Sequence, residues 1–220
     1  MVPMTFPEYM AHAVAAYEFV SKKMTIGAGN RYVADQPGDL SERTSCVEDV
    51  RRKADEATAA LRKDHTEKVL DDARRKWGET EDGKIAVPQE TLQLYADSRL
   101  HELEEKKIEA RAQIAGKHGC GNCEEQCAMV FAFLKERGVG PLDRFLMLGF
   151  VEDVFPSFGL GNHTFVILGR DRLTDPRKIG TWNSQVVWCD PYEGQLGGLP
   201  LIRQRFGSET LMLKHRWEAA

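Results

Sequence analysis

The sequence predicts an α+β protein, with helices in its first half and an antiparallel sheet in its second half. Before Gly116, apolar residues recur at spacings of three and four with charged residues between them, which is the helical period. After Gly116, short runs rich in aromatic and β-branched residues alternate with Gly- and Pro-rich gaps, the pattern of strands joined by turns. We therefore divide the chain into a helical N-terminal region, residues 1–115, and a second region, residues 116–220, which can share one continuous domain.

The first two predicted helices each begin at a capping pattern. Thr5 and Glu8 form a capping box around an early proline, and the helix behind them runs to about Met24. Ser45 and Glu48 repeat the pattern, and a stripe of apolar residues follows at helical spacing. A turn-rich stretch is expected between these two helices.

A third helix completes the first region. The second helix extends to Trp77 and ends at Gly78, and the third begins at Pro88. The third helix has apolar residues on one side and a charged run at 104–107 on the other. Two such helices joined by residues 78–87 predict a helical hairpin with a solvated charged face.

One helix and three strands are predicted in the second region. The helix spans Glu124–Glu136. The strands are Phe145–Val151, His163–Leu168 and Gln185–Cys189, chosen by their aromatic and β-branched content. We expect the helix to pack on an antiparallel sheet made by these strands.

Charge and composition bear on partners and on compartment. The 30 Lys and Arg residues against 34 Asp and Glu residues give a formal charge of -4, so a nucleic-acid partner is not expected. No stretch approaches the roughly 18 uncharged apolar residues that span a bilayer, so we expect no stable membrane insertion. Five cysteines, an odd number, do not resemble a disulfide framework and favour a reducing compartment. The sequence indicates no oligomeric state.

Cys123 is the candidate nucleophile of the chain. Gly121 and Asn122 precede it, and a strong helical pattern follows directly. The N-terminus of a helix favours the thiolate, which is the nucleophilic form of cysteine. The free N–H groups at that position can also stabilise a developing oxyanion. Cys127 lies on the apolar stripe of the same helix, and we expect it in the core.

A thiol nucleophile needs a base, and His163 and Asp190 are the candidates for the base and its orienting carboxylate. His163 opens one predicted strand and Asp190 closes another. If these strands pair, Asp190 can hold the ring of His163 while the other ring nitrogen faces Cys123. Asp171 and Asp175 remain alternatives for the third member, and Asp190 is preferred because it ends an apolar strand.

Three motifs in the second region resemble those of papain-like bacterial toxin and effector domains. The closest type is the glutamine deamidase domain of Pasteurella mitogenic toxin and its injected relatives. The resemblance implies a papain-like, or transglutaminase-like, fold with a nucleophile helix on an antiparallel sheet. It also implies Cys123 as nucleophile, His163 as base and Asp190 as orienting residue. The motifs are Gly-Asn-Cys-Glu-Glu at 121–125, Gly-Asn-His-Thr-Phe-Val at 161–166 and Val-Val-Trp-Cys-Asp-Pro-Tyr at 186–192.

The resemblance implies a cysteine hydrolase that acts on a protein amide. Glutamine deamidation in a protein substrate is the favoured reaction, carried out by a secreted bacterial effector, a virulence toxin, in the cytoplasm of a target cell. Cysteine proteases and transglutaminases use the same triad and remain alternatives. Such a triad requires no cofactor and no metal, and we expect neither.

Two alternatives of another class remain open. The first is a zinc-structured binding module, and the second is a catalytically silent relative that binds partners through the hairpin. Cys120 is in addition a candidate redox partner of Cys123. We assign no role to His12, His65, His101, His118 and His215. The candidate zinc ligands are His118, Cys120, Cys123, Cys127 and Cys189.

Overall fold

The computed structural model describes residues 4–29, 39–150, 161–206 and 211–219. The predicted α+β class is confirmed, because helices pack on a five-stranded sheet whose neighbouring strands are all antiparallel. Among the helices in these ranges, none combines the length and the apolar character needed to cross a bilayer.

Helix α1 spans Phe6–Lys23 and follows the sequence prediction closely. The backbone N–H of Thr5 donates to Oε2 of Glu8 at 2.7 Å, which completes the predicted capping box. One face of the helix is buried, and its buried residues are Tyr9, Ala13, Ala16 and Val20. The spacing of these four residues is the apolar stripe of an amphipathic helix.

Helix α2 begins earlier than its sequence predicts. It spans Leu40–Trp77, and the side chain of Asp39 caps it by accepting a hydrogen bond from Glu42 N at 2.8 Å. The predicted start at Ser45 is wrong, because Asp39 already supplies the N-terminal cap. Ser45 therefore lies inside the helix. Residues 30–38 of the expected turn-rich stretch lie outside the described residues.

The predicted helical hairpin is formed by α2 and α3. Helix α3 spans Gln89–His118 and runs through Gly116, where the character of the sequence changes. It ends at Gly119, whose φ of 72° is the left-handed conformation that glycine adopts readily. Near the loop of the hairpin, the rings of Trp77 and Tyr95 meet edge to face at 5.2 Å. Helix α3 also packs against the next helix, which joins the hairpin to the rest of the molecule.

The second region contains the sheet, in the strand order β4-β3-β2-β1-β5. All three predicted strands are present with shifted ends, and Val151 of the first lies outside the described residues. The last two strands and the short helix between them were not predicted. The elements are α4 (Cys123–Glu136), β1 (Leu142–Phe150), β2 (Gly161–Leu168), a 3-10 turn (Ile179–Thr181), β3 (Val187–Asp190), β4 (Gln195–Gly198), α5 (Leu199–Arg205) and β5 (Leu211–Trp217).

The sheet has an apolar core on each face. On one face, α1 and α4 pack against β2 and β3, and the buried side chains of α1 join those of the second region in one cluster. On the other face, α5 and the 3-10 turn cover a second cluster that is rich in aromatic residues. Trp188 and Phe165 are fully buried there. The strands near the middle of the sheet are therefore held from both sides, which makes them rigid supports for side chains at their ends.

Candidate active site

The loop before α4 is held by hydrogen bonds to the segment that follows α1. Gly121 N donates to Gly27 O at 3.3 Å, and Gly29 N donates to Oδ1 of Asn122 at 3.0 Å. Asn122 is 4% exposed, so its side chain acts inside the fold. These contacts place Cys123 as the first residue of α4, as its predicted position at the start of a helix requires.

The Gly-Asn pair in the first motif has a structural explanation. Asn122 forms a capping box with Glu125, in which Asn122 N donates to Oε2 of Glu125 at 3.0 Å. A Cβ atom at Gly121 would lie 2.4 Å from the Cβ of Glu125, so only glycine fits where the loop crosses the first turn. The pair therefore fixes the direction in which α4 begins, and with it the position of the Cys123 thiol.

A disulfide bond between Cys46 and Cys120 ties the same loop to α2. The prediction that the cysteines are not paired in disulfides is wrong for Cys46 and Cys120. The sequence gives no local signal of this bond, because the two residues are 74 positions apart. The candidate redox pairing of Cys120 with Cys123 is wrong as well, since the Cys120 sulfur is bonded to Cys46. Disulfides are typical of oxidising compartments, so the cysteine count no longer supports a reducing one.

The double substitution Cys46→Ala and Cys120→Ala is expected to lower the free energy of unfolding by up to about 4 kcal/mol, because the bond closes a long loop in the unfolded chain. Denaturant titration with and without a thiol reductant measures this difference. Reductant should destabilise the wild-type chain and leave the double variant unchanged. Equal sensitivity of both proteins to the reductant would contradict a structural disulfide here.

The three free cysteines differ sharply in their surroundings. Cys123 is partly exposed, and its Sγ lies 3.8 Å from the carbonyl oxygen of Asn162. Cys127 and Cys189 are buried, and the core location expected for Cys127 is confirmed. Burial raises the pKa of the Cys127 thiol to about 12, and burial also raises the pKa of Cys189 well above its ordinary value. Both buried thiols are therefore protonated and unreactive at neutral pH.

His163 and Asp190 meet where two neighbouring strands end. Strands β2 and β3 pair with Val166 opposite Cys189, and Nε2 of His163 lies 2.5 Å from Oδ2 of Asp190. The second oxygen of Asp190 accepts a hydrogen bond from Glu193 N at 3.1 Å, which fixes the carboxylate in the turn after β3. Both side chains are buried, His163 with 3% and Asp190 with 2% of their surface exposed.

The alternative carboxylates lie in a loop and bind their own backbone. Asp171 accepts a hydrogen bond from Leu173 N at 2.9 Å, and Asp175 accepts one from Arg177 N at 2.9 Å. Of the three candidates, it is Asp190 that contacts His163. Because Asp190 contacts Nε2, a catalytic role for Cys123 would require the other ring nitrogen, Nδ1.

The charge state of His163 follows from its two neighbours. Burial opposes the charged ring, but the hydrogen bond and charge of Asp190, followed by the hydrogen bond and charge of Cys123, outweigh it. Together they raise the pKa of His163 to about 10. The ring is consequently an imidazolium at neutral pH, which is the partner that a cysteine thiolate needs.

Histidine NMR should show the His163 ring titrating at a pH of about 10, well above its ordinary value of 6.5. Since Asp190 is the main group that favours the charged ring, Asp190→Asn is expected to lower the pKa of His163. Asp175→Asn should leave the titration unchanged and serves as the matched control. Titration of wild-type His163 near 6.5 would show that the observed contact does not stabilise the charged ring.

Cys123 opens onto a cleft between the hairpin and the sheet, with a volume of about 780 Å³. Asn162 and Thr164 of β2 form part of its wall. Arg144 of β1 also lines the cleft, and its guanidinium donates a hydrogen bond to Oε1 of Glu124 at 2.9 Å. The lining holds six basic and three acidic side chains. The basic residues are Arg51, Arg62, Lys107, Arg111, Arg144 and Lys214, and the acidic ones are Asp55, Glu104 and Glu124.

The residues considered for a zinc site do not converge. Cys120 is in the disulfide, and Cys127 and Cys189 are buried thiols. His118 lies beside α2, with Nε2 3.1 Å from Lys53 Nζ. In the part of the chain that the structure describes, the His, Cys, Asp and Glu side chains whose ligand atoms come together lie elsewhere, on α3 and β5.

Comparisons of the chain with protein-family models, with curated proteins and with solved structures found no match in any of the three. A function for this site therefore depends on its own geometry and chemistry, together with the motifs that surround it.

Proposed function

We propose that the chain is a cysteine-dependent hydrolase that deamidates a glutamine side chain in a protein substrate. The main support is the arrangement of His163, with Nε2 2.5 Å from Asp190 and its charged form favoured by both Asp190 and Cys123. Cys123 is also the one free thiol in the described part of the chain that is not buried, and it faces an open cleft. These observations support Cys123 as nucleophile, His163 as base and Asp190 as orienting carboxylate of an acyl-transfer site.

A papain-like arrangement is part of the proposal. The nucleophile stands at the first turn of a helix that packs on an antiparallel sheet, and the base and carboxylate stand on adjacent strands. The order along the chain is Cys, His, Asp, as in the motifs on which the resemblance rests. The same arrangement suits the toxin and effector hydrolases that the motifs resemble, which act on proteins of a target cell.

The first half of the reaction forms a thioester. The thiolate of Cys123 attacks the carbonyl carbon of the glutamine amide, and the oxygen becomes an oxyanion near the first turn of α4. The first N–H groups of a helix have no partner within it, so those of Cys123 and Glu124 are suited to stabilise the oxyanion. As the C–N bond breaks, the His163 imidazolium gives its proton to the leaving nitrogen, which departs as ammonia.

The second half of the reaction releases the product. Neutral His163 takes a proton from a water molecule, whose oxygen attacks the thioester carbon. The C–S bond breaks, the product glutamate departs, and the Cys123 sulfur leaves as thiolate beside the recharged imidazolium. Asp190 keeps its proton state throughout and holds the ring in one orientation.

The charges of the cleft favour an acidic substrate segment. Six basic side chains against three acidic ones give the lining a net positive charge, although Arg111 and Arg144 are paired with Glu124. Complementary charge speeds encounter and selects among partners. We therefore expect the target glutamine to be flanked by Asp or Glu residues.

Mass spectrometry of a glutamine peptide library tests the proposal. The full chain is incubated with peptides that place glutamine between acidic, neutral or basic flanks, and Cys123→Ala is the control enzyme. We expect the mass increase of amide-to-acid conversion, fastest with acidic flanks and absent with Cys123→Ala. Cleaved peptides would identify a protease instead, and addition of a supplied amine would identify a transglutaminase. No Cys123-dependent product with any peptide would contradict a hydrolase.

A further inference from the structure

Two histidines that the proposed reaction does not use converge with a glutamate between α3 and β5. His101 and Glu105 lie one turn apart on α3, and His215 lies on β5. Their ligand atoms all lie within 4.8 Å of one another. Nδ1 of His101 is 3.1 Å from Oε1 of Glu105, and Nε2 of His215 is 3.9 Å from the same oxygen.

The second ring nitrogen of His101 is already in use. Its Nε2 lies 2.6 Å from the carbonyl oxygen of Arg216 on the edge strand, which suits an N–H donor. That bond leaves the lone pair of Nδ1 directed at Glu105. A histidine that donates one ring N–H to a backbone carbonyl and presents its other nitrogen to the centre of a cluster is in the usual arrangement of a metal ligand.

His215 supplies an independent observation. Its side chain is 4% exposed, and its Nε2 is buried with no hydrogen-bond partner among the described residues. Protonation of His101 would satisfy Glu105 but would leave His215 Nε2 unpaired. A cation at the centre of the cluster satisfies all three ligand atoms at once, whereas an unpaired buried nitrogen costs stability.

We infer that His101, Glu105 and His215 bind one divalent transition metal ion, for which zinc is the best fit. Two imidazoles and one carboxylate with an open fourth position are an established zinc ligand set. With bonds of about 2.1 Å, tetrahedral ligand atoms lie roughly 3.4 Å apart, and two of the observed distances, 3.1 and 3.9 Å, bracket that value. The ring of His101 is 55% exposed, which leaves a path for the ion and for a water ligand.

The remaining contacts support the same three ligands. Lys135 on α4 forms an ion pair with Oε2 of Glu105, so the carboxylate is oriented with Oε1 toward the histidines. Phe131 packs edge to face on the ring of His215 with centroids 5.5 Å apart.

The site would join the helical region to the last strand of the sheet. Strand β5 lies at the edge of the sheet, where it pairs with β1. Glu104 and Lys214, the chain neighbours of two ligands, line the cleft into which Cys123 opens. Bound zinc would therefore hold one wall of that cleft in place without entering the proposed chemistry.

Calorimetric titration of zinc into metal-free full-length chain tests the inference. Cys123→Ser is used as the background so that the free thiolate does not bind the metal. We expect one zinc per chain, and at least about tenfold weaker binding with His101→Ala or Glu105→Gln. His12→Ala, a half-buried histidine outside the cluster, should bind zinc as tightly as the background. Saturating zinc, at about a hundredfold above its Kd, should raise Tm by about 5–10 °C, and His101→Ala should remove that rise.

The controls make the result decisive. His101 is largely exposed, so His101→Ala retains the fold and separates loss of a ligand from loss of structure. Zinc binding that His101→Ala and Glu105→Gln leave unchanged would overturn the inference, as would the absence of stoichiometric binding. Because the experiment does not use activity, it succeeds or fails independently of the proposed hydrolase.

Discussion

Cys123→Ala is expected to lower the rate of glutamine deamidation by about a millionfold, to the residual rate that remains without a nucleophile. Removing the nucleophile of a triad hydrolase has an effect of this size because no other group can form the covalent intermediate. The rate is measured by mass spectrometry on the best peptide of the library. Cys127→Ala is the matched control, since Cys127 lies one turn later on α4 and is buried.

The two cysteine variants separate chemistry from folding. Both remove a thiol from the same helix, but Cys123 opens onto the cleft and Cys127 lies in the core. We expect Cys127→Ala to retain activity. Activity that survives in Cys123→Ala, or that is lost equally in both variants, would contradict the assignment of Cys123 as nucleophile.

Asp190→Asn is expected to lower the same rate by about 10⁴-fold while the fold is retained, as for other orienting carboxylates. Asparagine matches the shape of aspartate but no longer fixes the His163 tautomer or stabilises the imidazolium. Turnover is compared with that of Asp175→Asn, in which a partly buried loop carboxylate is changed instead. Circular dichroism of both variants should match the wild type.

Variants of the two alternative carboxylates, Asp171 and Asp175, test the assignment of Asp190 as the third member of the triad. The carboxylates of Asp171 and Asp175 bind groups of their own loop, so Asp171→Asn and Asp175→Asn should be nearly silent. Loss of activity in either variant, together with an active Asp190→Asn, would place the third member of the triad elsewhere.

Elements with strong local signals were predictable from the sequence, and those that depend on tertiary partners were not. Helix α1 has its own capping box and stripe, so its bounds follow from local residues. Strand β4 has the sequence Gln-Leu-Gly-Gly, with no β-branched or aromatic residue, and it exists through its pairing with β3. Helix α5 has only seven residues with a proline in its first turn, and its buried Leu199 and Ile202 hold it against the second core.

Strand β5 was missed for a related reason. Its pairing with β1 shifts register between Arg144 and Phe145, which disturbs the simple alternation that reveals a half-buried strand. Leu211 and His215 are its buried residues, and the exposed side chains of Met212 and Lys214 lie between them. The missed strand also carries a ligand of the inferred zinc site.

The site itself was partly predictable. Three motifs indicated Cys123, His163 and Asp190 because each stands at a position where an element begins or ends. The hydrogen bond between Gly29 and Asn122 and the disulfide bond of Cys120 required the folded chain, since the partners lie far apart in sequence. The convergence of His101 and His215 had no local signal in the sequence, because the two residues lie on elements that are far apart in the chain. His101 and its hydrogen-bond acceptor, Arg216, are likewise 115 residues apart.

The reactivity of Cys123 toward iodoacetamide is the most direct measure of the central claim, because it needs no knowledge of the substrate. At neutral pH, peptide mapping should show Cys123 alkylated at least about tenfold faster than Cys127 and Cys189, whose buried thiols remain protonated. His163→Ala and Asp190→Asn should each slow the alkylation of Cys123, since the imidazolium that stabilises its thiolate is removed or weakened. A Cys123 that reacts no faster than the two buried thiols, or at a rate that neither variant changes, would contradict a catalytic triad at this site.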